Sequence, residues 1–591
     1  MLNTPSLKEG VWPLLNRMLD AKCIDYIDHA LAHRFAAGAD ECLAALLCFL
    51  SIAARQGHLC IIIEGKNIIP SPEDVFSLEN SVEALPKEDI AAFHLMILEA
   101  AVQDSVNEGL HHLPIKKEGN HYYLQRFWHL ETFFLKQLSF LLSHNQPRIA
   151  VDTGQAALFI ETLKLLPEQQ SAVLQACRGG ITLITGGPGT GKTYTAGMLL
   201  KTLWQGMSPE LQRNCRISLA APTGKAAANL EAGIRKLNCP EIPASGAKTL
   251  HQLLQVHRFP SKSRHVLAAD IILVDECSMI DVNLMGQLLA AIKPGARLIM
   301  LGDKDQLPSV EAGSLFADLA EHLMGHEETK LCVVELKTCL RAESQQIIEL
   351  AEYIKAGNAY EVIRLLSSPQ EETAIQLIST HEEMSDKELQ QILLKRVLPH
   401  FPVFSNVPED LLHLLKQTFR FQMLSPMRKG PLGVDHLNEV ISKTLRPRMQ
   451  RAGCEITPIM VTQNDYRLEL FNGEVGLLIS EGNKSTPYGV FFSRGTGEEV
   501  RKIPALMLPR FELAYCLSVH KSQGSEFNHV LLVLPKEAEL FGRAALYTGA
   551  TRARRQLDVL GDPVTIERML SVTSRRQSGV VHRTSFNNKF I

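Results

Sequence analysis

The sequence predicts an α/β fold that contains more than one parallel β-sheet. Four short apolar runs in the first half, "ITLITGG", "CRISLAAPTG", "DIILVDEC" and "ARLIMLGDKDQLP", each end in a cluster of Gly, Pro, Asp or Thr. Amphipathic helical stretches separate these runs, which is typical of strands buried on both faces of a parallel sheet. Because functional loops in such sheets follow the carboxyl ends of the strands, we expect the active residues there.

The second half repeats this pattern and adds a β-rich patch. "HVLLVLP" and "LYTGATRARRQLDVLGD" predict a second α/β lobe, and short pieces with Gly-rich turns, such as "LFNGEVGLLI" and "YGVFFS", predict a small inserted barrel. The N-terminal part reads as a mainly helical, separate domain. The predicted boundaries are 1–150 for this domain, 151–335 for the first lobe, 336–430 with 513–591 for the second lobe, and 431–512 for the insertion. The last twenty residues are predicted to be a frayed tail.

Composition is that of an ordinary globular protein. Of 591 residues, 45% are apolar and 21% charged, and the formal net charge of −3 excludes a uniformly basic nucleic-acid coat but allows a local positive groove. The twelve cysteines show no zinc-finger spacing, so we expect reduced thiols, a cytoplasmic location and no structural metal. The start "MLNTPSLKEG" is unlike a signal peptide, and the apolar run "CLAALLCFLSIAA" is too short to cross a bilayer, so no membrane association is expected.

The strongest motif is a phosphate-binding loop. "LITGGPGTGKTYTAG" satisfies G-x-x-x-x-G-K-[ST] directly after an apolar strand and before a helix. The N–H groups of such a loop turn toward phosphates, its Lys reaches the β/γ-phosphates and its Thr hydroxyl binds Mg²⁺. The predicted nucleotide-binding residues are Gly186, Gly187, Pro188, Gly189, Thr190, Gly191, Lys192 and Thr193, and Thr193 is also a predicted metal ligand.

Two further strand ends predict hydrolysis of the nucleotide. After "IILV", Asp275 can hold Mg²⁺ and Glu276 can orient and deprotonate the attacking water. "LIMLGDKDQLPSV" places Asp303 and Gln306 beside the same site. Gln306 is the expected γ-phosphate sensor, because an amide can bond to phosphate or water without a change of charge. Upstream, Gln169 in "LPEQQSAV" is a candidate to read the edge of adenine.

Two segments of the first lobe predict contacts to nucleic-acid phosphates. "LAAPTGKAAANL" combines a hydroxyl, backbone N–H groups and a Lys at the start of a helix. "KTLHQLL" adds a second hydroxyl and a His. The predicted DNA-binding residues are Pro222, Thr223, Gly224, Lys225, Thr249 and His251. Each segment taken alone also has a structural explanation. The first can be a solvated helix start, and the second can be a histidine of the core.

Seven motifs in this order resemble the superfamily-one DNA helicases, and among them the RecD family of helicase-nuclease subunits. They are "GGPGTGKT", "APTGKAA", "TLHQLL", "LVDECSMID", "LGDKDQLPSVEAG", "SVHKSQGSEF" and "LYTGATRARRQL". The resemblance runs from about Leu166 to Leu557, with echoes in "LELFNGEVG" and "RRQSG". It implies two RecA-like P-loop lobes that bind ATP and Mg²⁺ between them and single-stranded DNA across their tops, with a small SH3-like β-barrel insertion.

The resemblance also implies roles for residues of the second lobe. His520, Lys521 and Ser522 are expected to contact DNA phosphates, while Gln523 and Glu526 couple to ATP.

Two arginines are also implied. Arg552 is expected to reach the γ-phosphate from the opposite lobe, and Arg341 is expected to be a second catalytic arginine. The sequence "RAESQQI" departs from the aromatic residue and the Ser-Gly pair that usually follow Arg341 in the family.

The implied function is an ATP-dependent 5′ to 3′ DNA helicase. It would act on single-stranded DNA and duplex ends within a heterotrimer with RecB- and RecC-like subunits, dock through residues 1–150, and process double-strand breaks for homologous recombination. No nuclease constellation stands out in the sequence, so exonuclease activity is expected in a partner. Two alternatives stay open: a stand-alone RecD-like helicase, and an ATP-gated DNA-binding clamp that does not translocate.

Overall fold

The described part of the chain contains two parallel sheets, a five-stranded antiparallel sheet and a mainly helical N-terminal unit. The computed structural model describes residues 12–36, 40–77, 86–107, 114–144, 146–237, 246–256, 266–309, 311–313, 315–325, 329, 332–339, 345–368, 374–380, 384–465, 467–482, 486–493, 499–572 and 576–586. The prediction for Arg341 falls outside these residues. Within them, no helix has the length and apolar character that a bilayer crossing needs.

The N-terminal unit is helical, as expected, but it also contains a small antiparallel sheet that the sequence analysis did not predict. Its helices are Pro13–Asp20, Tyr26–Phe35, Glu41–Arg55, Pro72–Ser77, Lys87–Asn107 and Gln125–Ser143, and its strands are Cys60–Glu64, Asn67–Ile69, Ile115–Glu118 and His121–Leu124. Edge-to-face contacts of Phe93 with Phe49 and Phe76 lie in its core. Helix Gln125–Ser143 packs against the first lobe, where Phe134 joins the core of the first parallel sheet.

The first parallel sheet has six strands with crossovers between neighbours. In spatial order they are Val333–Leu336, Ile181–Gly186, Arg297–Gly302, Ile271–Val274, Ile217–Ala221 and Lys248–Thr249. The surrounding helices are Thr153–Thr162, Pro167–Arg178, Lys192–Gln205, Pro209–Asn214, Gly224–Arg235, Leu250–Leu253, Val282–Ala291 and Phe316–Gly325, with a 3₁₀ turn at Cys277–Met279. The central strands are buried along their whole length, which explains their continuous apolar runs. All the predicted first-lobe loops therefore follow the same edge of this sheet.

The second parallel sheet has five strands drawn from distant parts of the chain. Their spatial order is Ile375–Ser379, Ala553–Gly561, Phe527–Val533, Phe421–Ser425 and Cys516–Ser518. Its helices are Gln345–Ala356, Ala359–Leu366, Asp386–Val397, Val434–Ala452, Gly542–Ala550 and Pro563–Ser571, and its 3₁₀ turns are Leu398–His400, His520–Ser522 and Lys536–Phe541. Helix Leu411–Thr418 packs instead on the antiparallel strands described next. The two lobes thus have the α/β architecture that the sequence predicts.

The β-rich patch forms a five-stranded antiparallel sheet. In spatial order its strands are Val500–Pro504, Tyr488–Phe492, Val475–Ser480, Glu455–Val461 and Phe511–Leu513, and a 3₁₀ turn lies at Ala505–Met507. The preceding helix, Val434–Ala452, lies within the predicted insertion range but packs its apolar residues onto the second parallel sheet. The antiparallel strands begin at Glu455, so the first part of the range 431–512 is a helix that covers the second lobe. A closed SH3-like barrel stays a prediction.

The described part of the C-terminal tail is not frayed, so that expectation is wrong for residues 576–586. Val580 is fully buried in the core that the N-terminal unit shares with the first lobe, and a helix spans Val580–Phe586. The tail is ordered because it fills a seam between two other units, which a local sequence pattern does not reveal.

Candidate active site

The phosphate-binding loop has the backbone that its glycines predict. Gly189 and Gly191 have φ angles of 80° and 81°, in the left-handed region that other residues rarely adopt. At Gly186 the reason is space, because a Cβ atom there would lie 2.8 Å from the backbone oxygen of Leu336. The loop opens helix Lys192–Gln205, so its N–H groups and the helix N-terminus face one point.

Lys192 lies inside this loop. Its Nζ donates hydrogen bonds to the carbonyl oxygens of Gly186, at 2.6 Å, and Gly187, at 3.0 Å. Thr193 is half-buried and lines the same cleft. An ammonium group and a hydroxyl are thus held where a phosphate and its metal would need them.

Asp275 and Glu276 stand at the adjoining strand end in an uncommon backbone geometry. Glu276 has φ 53° and ψ 42°, a left-handed conformation that costs a non-glycine residue about 1 kcal/mol or more. The turn lets the two neighbouring carboxylates diverge, and the Glu276 N–H donates to Oδ1 of Asp275 at 2.8 Å. Burial, together with the charge of Glu276, raises the pKa of Asp275 to about 7 although Lys192 opposes the shift.

Gln306 and Asp303 connect the third strand end to the second lobe. Asp303 is buried, and its Oδ2 accepts hydrogen bonds from Nε2 of Gln306, at 3.0 Å, and from the Tyr547 hydroxyl, at 3.1 Å. Oε1 of Gln306 is buried without a hydrogen-bond partner among the described residues. Gln306 therefore presents an unused acceptor to the cleft, whereas Asp303 lies behind it and holds its amide in place.

Arg552 reaches the cleft from the second lobe. Its side chain is 3% exposed, and its guanidinium donates to the carbonyl oxygens of Thr548 and Ser525, both at 3.1 Å. Nη2 is buried and has no partner among the described residues. Burial lowers the pKa of Arg552, and the charges of Glu276 and Asp303 oppose that shift. One N–H-bearing nitrogen of a buried cation thus stays available for an anion.

These side chains line one cleft between the two lobes. The cavity has a volume of about 1070 Å³, which is ample for a nucleoside triphosphate. The predicted residues on its wall are Pro188, Gly189, Gly191, Lys192, Thr193, Gly224, Lys225, Asp275, Glu276, Gln306, Glu526 and Arg552. The second lobe closes the cleft by hydrogen bonds from Asn229 Nδ2 to the Gly524 oxygen, at 2.6 Å, and from Gln523 Nε2 to the Leu307 oxygen, at 2.7 Å.

Lys225, predicted to bind DNA, lies on the wall of this cleft. Burial lowers the pKa of Lys225 to about 8, while Glu474 opposes the shift and Arg552 adds to it. Gly224 is pressed against the segment between strands Glu455–Val461 and Val475–Ser480, because a Cβ atom on Gly224 would lie 2.4 Å from Cβ of Phe471. The Lys225 side chain therefore faces the nucleotide cleft.

The other first-lobe candidates for DNA contact serve as helix caps or surface residues. Thr223 Oγ1 accepts from the Ala226 N–H at 3.2 Å, and Pro222 beside it is half-buried. Thr249 is buried and caps its helix by accepting from the Gln252 N–H at 3.2 Å. His251 is exposed. These contacts order the loops, and DNA binding by them stays a prediction.

The turn His520–Ser522 is bonded to the second lobe and to the strand Phe511–Leu513 of the five-stranded antiparallel sheet. Lys521 Nζ forms an ion pair with Glu512 at 3.0 Å, and Ser522 Oγ donates to the Val519 oxygen at 2.7 Å. Burial, with a smaller contribution from Arg576, lowers the pKa of His520 to about 4. His520 is therefore neutral near pH 7 and cannot pair with phosphate as a cation.

Two predicted nucleotide residues differ in how directly they face the cleft. Glu526 is exposed on its rim, 3.8 Å from the Arg554 guanidinium. Gln169 is buried behind the phosphate loop, where its amide accepts from the Leu166 N–H at 3.1 Å and donates to the Thr190 oxygen at 3.4 Å. Its adenine contact stays a prediction.

Residues that the sequence analysis did not single out join the lobes at this site. Thr548 Oγ1 accepts from the Leu307 N–H at 2.9 Å, and Tyr547 bonds to Asp303. Both lie in the motif "LYTGATRARRQL", so the motif contained them, but only the fold shows that they face the first lobe.

A cleft shared by two parallel-sheet lobes, with the phosphate loop on one and an arginine on the other, is typical of a two-lobed P-loop helicase. The AAA domain family matches residues 164–376, and the UvrD-like helicase C-terminal domain family matches residues 513–560. The RecBCD enzyme subunit RecD of Mycobacterium tuberculosis is 32% identical over 480 residues, which are 78% of this chain and 79% of that one. The chain belongs to the RecD family.

Other relatives agree with this membership. The RecBCD enzyme subunit RecD of Haemophilus influenzae is 31% identical over 492 residues, covering 71% of this chain and 73% of that one. The ATP-dependent RecD2 DNA helicase of Deinococcus radiodurans is 33% identical over 402 residues, but these are 66% of this chain and 48% of that one. The shared length is therefore greater with the RecBCD subunits than with the RecD2 helicase.

Proposed function

We propose that this chain is the ATP-driven 5′ to 3′ DNA helicase subunit of a RecBCD-type helicase-nuclease. It would unwind duplex ends in the cytoplasm together with RecB- and RecC-like partners, during processing of double-strand breaks for recombination. Membership of the RecD family supports the assembly and the DNA substrate. The observation that carries the proposal is that Lys192 of one lobe and Arg552 of the other line the same cleft.

Hydrolysis of ATP in this cleft can be assigned to four side chains. Lys192 binds the β/γ-phosphates, and Glu276 orients the attacking water and takes its proton. Arg552 stabilises the negative charge that spreads over the transferred phosphoryl group, using the nitrogen that lacks a protein partner. Gln306 is suited to hold the attacking water, because its unpaired Oε1 can accept a hydrogen bond from water. As a γ-phosphate sensor it would donate from Nε2, which also bonds to Asp303.

The donor set at the cleft fits Mg²⁺. Thr193 and Asp275 offer a hydroxyl and a carboxylate, the oxygen ligands that this ion prefers, and both line the cleft. The raised pKa of Asp275 fits the same role, because a nearby cation would relieve the cost of its buried charge. When bound, Mg²⁺ would neutralise phosphate charge. Thr193 and Asp275 are therefore the proposed ligands.

Coupling of hydrolysis to movement follows from the shared cleft. Arg552 and Lys192 both favour the triphosphate, so its loss removes an attraction that holds the lobes together. The bonds of Gln523 and Thr548 to Leu307 link this closure to the second lobe beside the turn His520–Ser522. Closing and opening would then shift the two sets of proposed DNA contacts relative to each other.

Strand separation with defined overhangs tests the proposal directly. Duplex DNA with only a 5′ or only a 3′ single-stranded overhang is mixed with ATP, Mg²⁺ and the chain, with and without its RecB- and RecC-like partners. We expect separation that depends on ATP and on the 5′ overhang. DNA-stimulated hydrolysis without strand separation in either preparation would favour the clamp, and full activity of the isolated chain would favour the stand-alone helicase.

Two lysines of one helix, Lys192 and Lys201, provide a matched pair of variants. Lys192→Ala should reduce hydrolysis by at least about 10²-fold and abolish unwinding, because it removes a charge that stabilises the transferred phosphate. Lys201→Ala, on the same helix but away from the cleft wall, should behave like the parent chain. Normal strand separation by Lys192→Ala would contradict the assignment.

Exposed apolar side chains on the N-terminal unit support its proposed role in docking a partner subunit. Leu95 and Val102 are both exposed and lie seven residues apart on helix Lys87–Asn107, so they share one face. The double variant Leu95→Asp/Val102→Asp should lose co-purification with the RecC-like subunit, because it places charge in an apolar interface. Val564→Asp, an exposed site on the second lobe, is the control. Co-purification of all variants at the parent level would refute this docking face.

A further inference from the structure

Residues 576–583, here named the C-terminal strap, join the N-terminal unit to the first lobe. The strap pairs with residues 58 and 59 of the N-terminal unit, since the Leu59 N–H donates to the Gln577 oxygen and the Gln577 N–H to Nδ1 of His58, both at 2.9 Å. Val580 is fully buried beside Leu59 in the core of the first lobe. The strap is therefore part of the packed structure on both sides.

One end of the strap is anchored by a buried charge cluster. Glu131 of the N-terminal unit accepts from the Gly579 N–H at 2.9 Å and from the Arg583 guanidinium at 3.1 Å. Glycine is required at 579, because a Cβ atom there would lie 1.8 Å from the Tyr123 hydroxyl. This close fit fixes the position of the strap along the seam.

The other end of the strap touches the segment that follows Gln306. Nη1 of Arg576 donates to the carbonyl oxygen of Ser309 and, at 2.8 Å, to that of Glu311. A few residues earlier, Leu307 is bonded to Gln523 and Thr548 of the second lobe. The segment after the proposed nucleotide sensor is thus held by the second lobe and by the strap.

The turn proposed to contact DNA is bonded to this same segment, because Gln523, the residue after the turn, donates to the Leu307 oxygen at 2.7 Å. Burial is the main cause of the low pKa of both His58 and His520, about 4 in each case, and the charge of Arg576 adds to both shifts. Burial lowers the pKa of Arg576 itself to about 10, so it stays charged at neutral pH. One half-buried cation thus bonds to the Gln306 segment, and its charge acts on His58 of the N-terminal unit and on His520 of the turn.

We propose that Arg576 is a positioning residue that couples DNA binding to ATP hydrolysis, and this inference rests on the proposed helicase function. By fixing the carbonyl groups of Ser309 and Glu311, it holds the Gln306 segment where a change at the His520 turn alters hydrolysis. The strap connects the same segment to the N-terminal unit. A partner docked on that unit therefore acts on the segment through Gln577 and Arg576.

The test compares hydrolysis with and without single-stranded DNA in the full chain. Arg576→Gln should reduce the stimulation by DNA about tenfold, a usual size for coupling between sites, and leave the basal rate and the KM for ATP unchanged. Arg576→Lys, which keeps the charge but not the fork of donors, should recover part of the stimulation. Arg568→Gln removes a surface arginine paired with Glu539 and should match the parent chain.

The outcomes separate this inference from the proposed function. Parent-level stimulation in Arg576→Gln and Arg576→Lys would overturn it, as would an equal loss of basal and stimulated rates. Failure of both variants to fold, judged by thermal melting, would give Arg576 a purely structural role and also overturn it. If the parent chain itself shows no hydrolysis stimulated by DNA, the proposed function fails instead.

Discussion

In the nucleotide cleft, side chains from both lobes line one cavity, whereas three of the side chains predicted to bind DNA are already bonded to other groups of the protein. Gln306 and Arg552 each keep a buried polar atom without a protein partner at the cleft. By contrast, Lys521 is paired with Glu512, and Thr223 and Thr249 cap helices. The cleft thus keeps an unpaired donor on Arg552 and an unpaired acceptor on Gln306, while Lys521, Thr223 and Thr249 already have protein partners.

This difference has a physical reason. Hydrolysis needs charges held in advance where charge develops in the transition state, even at a cost in stability. The left-handed backbone of Glu276 and the crowded carboxylate of Asp275 are such costs. Contacts to a DNA backbone that moves through the protein need exchangeable partners, and an exposed ion pair or a helix start provides these at little cost.

The largest expected effect lies at the arginine that crosses the cleft. Arg552→Ala should lower the rate of ATP hydrolysis about 10³-fold or more, because transition-state charge loses its partner from the second lobe. ATP binding, measured by titration with a fluorescent analogue, should remain. Hydrolysis at the parent rate would mean that the two lobes do not share one site.

The catalytic carboxylate should give the next largest effect. Glu276→Gln keeps the shape of the side chain but removes the base, so we expect hydrolysis to fall about 10²-fold with a small change in the KM for ATP. A steady-state assay under saturating Mg²⁺ measures both constants. If KM rises instead while kcat stays constant, Glu276 binds the nucleotide and is not the base.

On the DNA side the effects should be small. Lys521→Ala should weaken binding of single-stranded DNA about two- to fivefold, because one exposed cation is lost and Glu512 already competes for it. Fluorescence anisotropy at several salt concentrations should show a shallower salt dependence. Lys443→Ala, which breaks a surface pair with Glu439, is the control. A loss as large as that of Arg552→Ala would break the contrast between the two regions.

The smallest expected effect is that of Asp275 on the thermal stability of the fold. Because the folded pKa of Asp275 is about 7, above its unfolded value near 4, its protonated form favours folding. That contribution is complete below pH of about 4 and is lost as the pH rises through about 7. Without nucleotide and metal, Asp275→Asn should therefore raise the melting temperature by a few degrees at pH 8 and by less at pH 5. If Asp275→Asn and the parent chain melt at the same temperature at pH 8 and at pH 5, the buried charge of Asp275 does not destabilise the fold.

How far the site could be predicted differs between its parts. The phosphate loop and the Asp275–Glu276 pair were predictable because each is a local pattern that follows a buried strand, and the structure brings them to one cleft. The orientation of Lys225 was not predictable, because it depends on Phe471 and Glu474 in the segment before strand Val475–Ser480. The helix Val434–Ala452 was assigned to the wrong unit for a similar reason, since its apolar face does not reveal which sheet it covers.

The sequence by itself determined the two α/β lobes, the family and the candidate residues at each strand end, because buried strands and phosphate loops leave short-range patterns. Only the tertiary structure decided which side chains meet. Tyr547 and Thr548 reach the first lobe, and the strap around Arg576 and Val580 closes the seam with the N-terminal unit. Such contacts join residues hundreds of positions apart, so their geometry depends on packing and not on spacing along the chain.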